Sequence, residues 1–291
     1  MAIVNLTPDS FSGDGQLSGG MSSATSQKFA LAAAVEAVDG GADIVDLGAE
    51  STRPGATPLT TGEEQARLLP VLEGLLHERP AAVVSVDTYH AATARAALKA
   101  GAEIVNDVSG LTWDPEMAST LAARPCGLVL MQTRGRPSEW LTQPRLSEQG
   151  VVPTVFAALM EQLALAESVG IADERIVIDP GFGFGKRGGE NFALLAGLSR
   201  LLELGRPLLA GTSRKSFLGE AVRNLQPAGI DTADARRIAS VAANVAAVLA
   251  GTHVLRVHDL QAAREAAAVA DAVLAAGGAD NSAEWQEIKE K

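Results

Sequence analysis

Short apolar runs that end on polar residues, each followed by a longer stretch with helical spacing, recur along the whole chain. The clearest is Ile176-Val-Ile-Asp179, a β-branched run that ends on a carboxylate and turns at once through Pro180 and Gly181. A continuous apolar run of this kind is expected of a strand buried on both faces of a parallel sheet, and Pro-Gly stops its ladder. The same reading places strands at Ala2–Leu6, Ala42–Gly48, Ala82–Thr88, Glu103–Asp107, Gly127–Met131, Pro207–Gly211 and His253–Asp259. Helices are predicted over about 24–39, 62–78, 91–100, 114–123, 152–169, 191–204, 231–250 and 260–275, many of them closed by glycine. In the seventh, Ile238, Val241, Ala242, Val245, Val248 and Leu249 fall on one apolar face.

Strict alternation of strand and helix implies a parallel sheet, and eight such units in 291 residues imply an α/β fold of the single (β/α)8 TIM-barrel type. The barrel accounts for residues 1–277, and a polar C-terminal tail for 278–291. A doubly wound open sheet is the alternative, but no Gly-x-Gly-x-x-Gly fingerprint follows the first strand.

Composition narrows the function classes. The formal net charge of −11 argues against nucleic acid or an anionic membrane as a partner. No apolar run reaches transmembrane length. The single cysteine, Cys126, lies beside an apolar run and reads as a buried structural thiol; it fits a reducing, cytoplasmic setting.

A barrel of this kind builds its site at the C-terminal ends of the strands. Those positions hold Asn5, Thr52, Arg53, Asp87, Asn106, Met131, Asp179, Ser213, Lys215, Arg256 and His258. Buried Asp, Asn and Lys are unfavourable unless they meet one another or a ligand. Asp87, Asn106, Asp179 and Lys215 suit a flat heterocycle with amino and amide edges, and Arg256 and the phenylalanines after the sixth strand offer planar faces. Arg53, Arg256, His258 and Asn5 suit a phosphate or pyrophosphate with a hard metal ion. Simpler roles compete: Asp87-Thr88 as a helix cap, Asn106-Asp107 as a turn, and His258-Asp259 as a cap of the last helix.

Seven segments in order, Asn5-Leu-Thr-Pro-Asp-Ser-Phe-Ser, Glu50-Ser-Thr-Arg-Pro-Gly, Ser85-Val-Asp-Thr, Val105-Asn-Asp-Val-Ser-Gly, Ile178-Asp-Pro-Gly-Phe-Gly-Phe-Gly-Lys, Gly211-Thr-Ser-Arg-Lys-Ser-Phe-Leu-Gly and Arg256-Val-His-Asp, resemble the signatures of the dihydropteroate synthase family. The resemblance spans nearly the whole chain. It implies a folate-pathway transferase that condenses 6-hydroxymethyl-7,8-dihydropterin pyrophosphate with p-aminobenzoate, releasing pyrophosphate and forming 7,8-dihydropteroate. By the same resemblance, Asp87, Asn106, Asp179 and Lys215 hold the pterin edge, Gly211 gives close approach, Met131 and Phe184 line the slot, and Arg256 stacks on the pterin. Asn5, Arg53, Arg256 and His258 grip the pyrophosphate, with Asn5 the ligand of magnesium (Mg2+); Phe11, Thr52, Arg53, Pro54 and Ser213 form the p-aminobenzoate site. Mobile loops after the first two strands would close over the second substrate, the resemblance makes the chain a sulfonamide target, and it suggests a homodimer through the last helices.

The chain departs from the family pattern in three places. Gln132 replaces the usual His, the first loop reads Phe11-Ser-Gly-Asp-Gly-Gln, and Met1 falls almost at the first strand. The last departure points to a truncated start or an exposed barrel floor. A pterin-binding methyltransfer domain and a catalytically silent pterin-binding paralogue are the alternative readings; the first needs neither Ser213-Arg-Lys215 nor the Arg256/His258 anion grip.

Overall fold

A computed structural model describes residues 1–6, 23–51, 56–225 and 232–277. The chain alternates β1 (Ala2–Asn5), α1 (Ser23–Asp39), β2 (Val45–Gly48), α2 (Thr61–Glu78), β3 (Val84–Asp87), α3 (Ala91–Ala100), β4 (Ile104–Asp107), α4 (Met117–Ala122), β5 (Gly127–Met131) and α5 (Glu148–Ser168). It continues through β6 (Ile176–Asp179), α6 (Gly189–Ala196), β7 (Leu209–Ala210), α7 (Ser216–Val222), α8 (Thr232–Leu249), β8 (Val254–Leu255) and α9 (Leu260–Gly277). Strands β1 to β6 form one parallel sheet in sequence order, and β7 pairs with β8. Single parallel bridges join the two, Ile178 to Leu208 and Ala2 to Val257, so hydrogen bonding passes round all eight strands. One circuit through these registers returns to β1 displaced by eight residues, the stagger of a TIM barrel.

The pleat turns register partners to the same side of the sheet. One row therefore runs Asn5, Gly48, Asp87, Asn106 at the C-terminal ends of four strands, with Met131 and Asp179 paired in the row above. Two residues lower, Asp46 pairs with Ser85 and Ser85 with Ile104. The barrel floor is filled by Met1, Val129 and Leu209, with Ile44, Ile104, Val177 and Val254 packed against them. Met1 is thus buried, and its ammonium donates to the Leu255 carbonyl at 3.0 Å, so the floor is plugged where an exposed one was an alternative. The larger apolar cores lie between the strands and the outer helices.

Four helical expectations need correction. Helix α5 begins at Glu148, ahead of the expected start, because the Ser147 hydroxyl caps it by accepting from the Gly150 amide at 3.1 Å. The sixth predicted helix breaks at Gly197 into α6 and a 3-10 turn over Leu198–Leu204. A Cβ at Gly197 would come within 2.6 Å of Val152 on α5, so the chain passes there only as glycine. Helix α7, directly after Lys215, was not expected at all.

The fourth concerns α8. Its inward face is Ser240, Ala243, Asn244, Ala247 and Val248, whereas Ile238, Ala242 and Leu249 of the predicted apolar face are exposed. Ser240 accepts from the Arg214 amide at 3.0 Å and Asn244 from the Thr212 hydroxyl at 3.0 Å. Bonding the loop after β7 outweighs burying aliphatic side chains.

Candidate active site

The strand ends converge on one charged network. Arg256 Nε donates to Asp46 Oδ2 at 2.6 Å, and its Nη2 donates to Asp87 Oδ2 at 2.6 Å. Asn106 Nδ2 donates to the same Asp46 oxygen at 3.1 Å. Burial drives the Asp87 carboxyl up to about 7, with Arg256 opposing the shift and Asp46 adding to it. Burial also opposes the charge on Arg256, but Asp46 and Asp87 outweigh it and hold the guanidinium above its ordinary range. One guanidinium thus serves two carboxylates.

The turn after β6 supplies the other half. Asp179 Oδ1 accepts from the Gly181 amide at 2.7 Å, and burial raises its carboxyl despite this bond and despite Lys215 and Arg256 nearby. Gly181 has φ +66°, and a Cβ there would lie 2.0 Å from the Gln132 carbonyl oxygen. The turn is therefore pressed against the end of β5. Lys186 holds it from below, its ammonium directed to the carbonyls of Gly181 at 2.9 Å and of Gln132 and Phe184 at 3.4 Å. Burial lowers that ammonium to about 7, with Asp179 opposing. Phe184 packs edge-on to Trp140 at 5.1 Å and joins Val108 and Met131 in an apolar cluster beside the mouth.

The loop after β7 brings Lys215 over the Phe184 ring, 4.1 Å from its centroid. Arg214 adopts φ 58°, left-handed for a residue with a side chain, and Ser240 and Arg236 bond its amide and carbonyl. Such a conformation persists only where surrounding bonds enforce it, and it fixes Ser213 and Lys215 on either side. Ser213 Oγ lies 3.2 Å from His258 Nδ1 and accepts from the His258 amide at 3.2 Å. A Cβ at Gly211 would meet nothing within 4 Å, so the mouth is open above β7.

The structure thus brings together Asp87, Asn106, Arg256, Asp179, Lys215 and Phe184, and separately Ser213 and His258. Asn5 shares the register row of Asp87. Phe11, Thr52, Arg53 and Pro54 lie outside the described residues. The structural alternatives hold for neighbours of these residues: Asp107 accepts from the Ser109 and Leu111 amides, and Asp259 caps α9 by accepting from Ala262. Asp46 went unmarked in the sequence. A carboxylate inside an apolar strand, costly unless paired, was the available signal.

Glu50, Glu64 and His90 place ligand atoms within 4.8 Å of one another, a group that could hold a metal ion. These side chains already bond protein partners: His90 Nδ1 meets Glu64 at 2.9 Å, the Thr93 hydroxyl donates to Glu64, and the Tyr89 hydroxyl to Glu50.

Comparison with known proteins bears on the whole assembly. A family model described as pterin binding enzyme matches residues 1–258. The chain belongs to this pterin-binding family. A dihydropteroate synthase of Synechocystis is 38% identical over 94% of this chain and 89% of its own length. The solved dihydropteroate synthase of Xanthomonas albilineans with 4-aminobenzoic acid is 41% identical, covers 94% of this chain and 92% of its own, and superposes with a TM-score of 0.82. That of Yersinia pestis, in complex with a sulfonamide drug, is 34% identical, covers 94% of each chain and has a TM-score of 0.83. All of the described strands that bear the network fall inside the family's matched span.

Proposed function

We propose that this member of the family is a dihydropteroate synthase, joining 6-hydroxymethyl-7,8-dihydropterin pyrophosphate to p-aminobenzoate. The observation that carries the reading is the Asp46–Arg256–Asp87 bridge with Asn106 attached, facing Asp179 and Lys215 across an open mouth. Asp87 and Asp179 accept from the amino and ring N–H groups of the pterin, Asn106 and Lys215 complete its edge, and Met131 and Phe184 form the wall. Arg256 lies across the ring and, with His258 and Asn5, meets the pyrophosphate; Arg53 joins that grip. Ser213, with Phe11, Thr52, Arg53 and Pro54, receives p-aminobenzoate, the acid bound by the Xanthomonas relative.

The chemistry follows from the charges. The bond between the pterin methylene carbon and the pyrophosphate oxygen breaks, and the leaving group keeps the electron pair. The positive charge left on the methylene is shared with the electron-rich ring, where Asp87 and Asp179 stabilise it at close range. The aniline nitrogen then bonds to the carbon and gives its surplus proton to solvent water, a step that needs no strong base. Asn5 contributes a hard amide oxygen of the kind magnesium prefers, and that ion would neutralise pyrophosphate charge. Arg256 and His258 supply charge and hydrogen bonds from the protein at the same group.

A homodimer through α8 and α9 belongs to the same proposal. Ile238 and Leu249 on α8, and Val269, Val273 and Leu274 on α9, are exposed aliphatic side chains on helices that pack against each other. The deciding experiment is pyrophosphate release with Mg2+, the dihydropterin pyrophosphate and p-aminobenzoate, each omitted in turn. Release that requires all three is expected. Tight pterin binding without release would instead identify a silent binding protein.

A further inference from the structure

Asp46 lies one inward-facing row below Asp87 and is wholly buried, whereas the Asp87 side chain keeps 18% of its surface exposed. A ligand can therefore reach Asp87 but not Asp46. We propose that Asp46 is a positioning residue, which fixes the attitude of Arg256 and the orientation of the Asn106 amide from beneath. The proposal rests on the reading of the mouth as a pterin and pyrophosphate site.

Two features of the geometry carry it. Asp46 takes Arg256 by Nε, the root of the guanidinium, at 2.6 Å. With Nε bonded to Asp46 and Nη2 to Asp87, the guanidinium plane is fixed at two points, and the Asp46 bond sets its root out of reach of a ligand. Asp46 also accepts Asn106 Nδ2 on the same oxygen. An ionised carboxylate only accepts, so it selects the amino end of an amide and leaves the carbonyl end for other partners. Asn106 Oδ1 indeed has no protein partner among the described residues, although Asn106 is only 2% exposed. Asp46 thereby determines that Asn106 offers an acceptor, the complement of an amino or ring N–H group. Asp46→Asn keeps the shape but removes that selection, since an amide at position 46 can present either end. It also leaves Asp87 as the sole carboxylate bonded to Arg256, and so ties Asp87 down against the incoming ring.

The test is a binding cycle. Affinity for dihydropterin pyrophosphate with Mg2+, without p-aminobenzoate, is measured by calorimetry for the wild type, Asp46→Asn, Arg256→Ala and the double variant. Asp46→Asn is expected to weaken binding by about tenfold and to raise KM for p-aminobenzoate by less than about twofold. Its effect should shrink severalfold in the Arg256→Ala background, because residues that act through one another are non-additive. Full additivity, unchanged pterin affinity, or an equal loss for both substrates would overturn the proposal; the last is what a general loss of stability would give. Should Asp46→Asn fail to fold, the Arg256 Nε–H proton of the wild type, assigned by its loss in Arg256→Lys, decides the matter. It should resist solvent exchange before and after ligand is added, and exchange as fast as an exposed arginine's would refute the anchoring. Wild-type protein that binds the pterin ligand but releases no pyrophosphate would sink the synthase reading while leaving this cycle decisive.

Discussion

Burial pushes the Lys215 ammonium down to about 8, with Arg256 adding to the shift and Asp179 and Asp87 opposing it. A lysine with a lowered pKa is charged below that value and neutral above it, so charge-assisted donation to the ring is lost on the alkaline side. We expect kcat/KM for the dihydropterin pyrophosphate to fall about tenfold per pH unit above about 8, since this ratio reports the free enzyme. A profile flat up to the ordinary lysine range would contradict the assignment. The polar residues at strand ends were legible in the sequence because their types stand out against apolar runs: Asp87 and Asp179 end β3 and β6, Asn106 follows Ile104-Val105, and Arg256 follows Val254-Leu255. Asp46 was legible only as a costly carboxylate inside an apolar strand, because nothing local to Val45-Asp-Leu-Gly names its partner 210 positions away. That information lies in the stagger of the strands.

Among the elements, the turn between β6 and α6 bears the tightest constraints. Gly181 must be left-handed and must lie against the Gln132 carbonyl, and Lys186 ties the two together from below. Gly181→Ala should therefore cost about 3 kcal/mol or more in urea unfolding, as backbone strain and overpacking combine. It should also weaken pterin affinity, because the Gly181 amide holds Asp179. A variant with wild-type unfolding and affinity would show that the turn has slack. The first six strands were read from local pattern to within three residues at each end, because apolar β-branched runs bounded by turn residues mark a buried strand. By contrast, β7 and β8 are two-residue strands inside the longer expected runs Pro207–Gly211 and His253–Asp259. Helices were read less well where tertiary contacts set their limits. Ser147 extended α5, Gly197 broke its successor against Val152, and Ser240 and Asn244 turned α8 by bonding the β7 loop.

At the scale of the molecule, Ile238 is 74% exposed on α8, and α9, which packs against that helix, exposes Val269, Val273 and Leu274. Replacing Ile238 by Asp should convert a dimer to a monomer in sedimentation, with monomer stability changed by no more than about 0.5 kcal/mol. Unchanged assembly would place the contact elsewhere. The barrel itself, by contrast, followed from counting: eight alternations leave few ways to bury eight strands.

The ring also joins the two ends of the described chain, since the ammonium of Met1 meets the Leu255 carbonyl and Arg256 reaches back to Asp46. The Asp46–Arg256–Asp87 network is therefore unfinished until the last strand docks. A growing chain that has emitted seven strands carries Asp46 and Asp87 without Arg256, the residue that bridges them. On the proposed site, ligand affinity would report closure of the ring, and a substrate bound there would act as a clasp on the final strand.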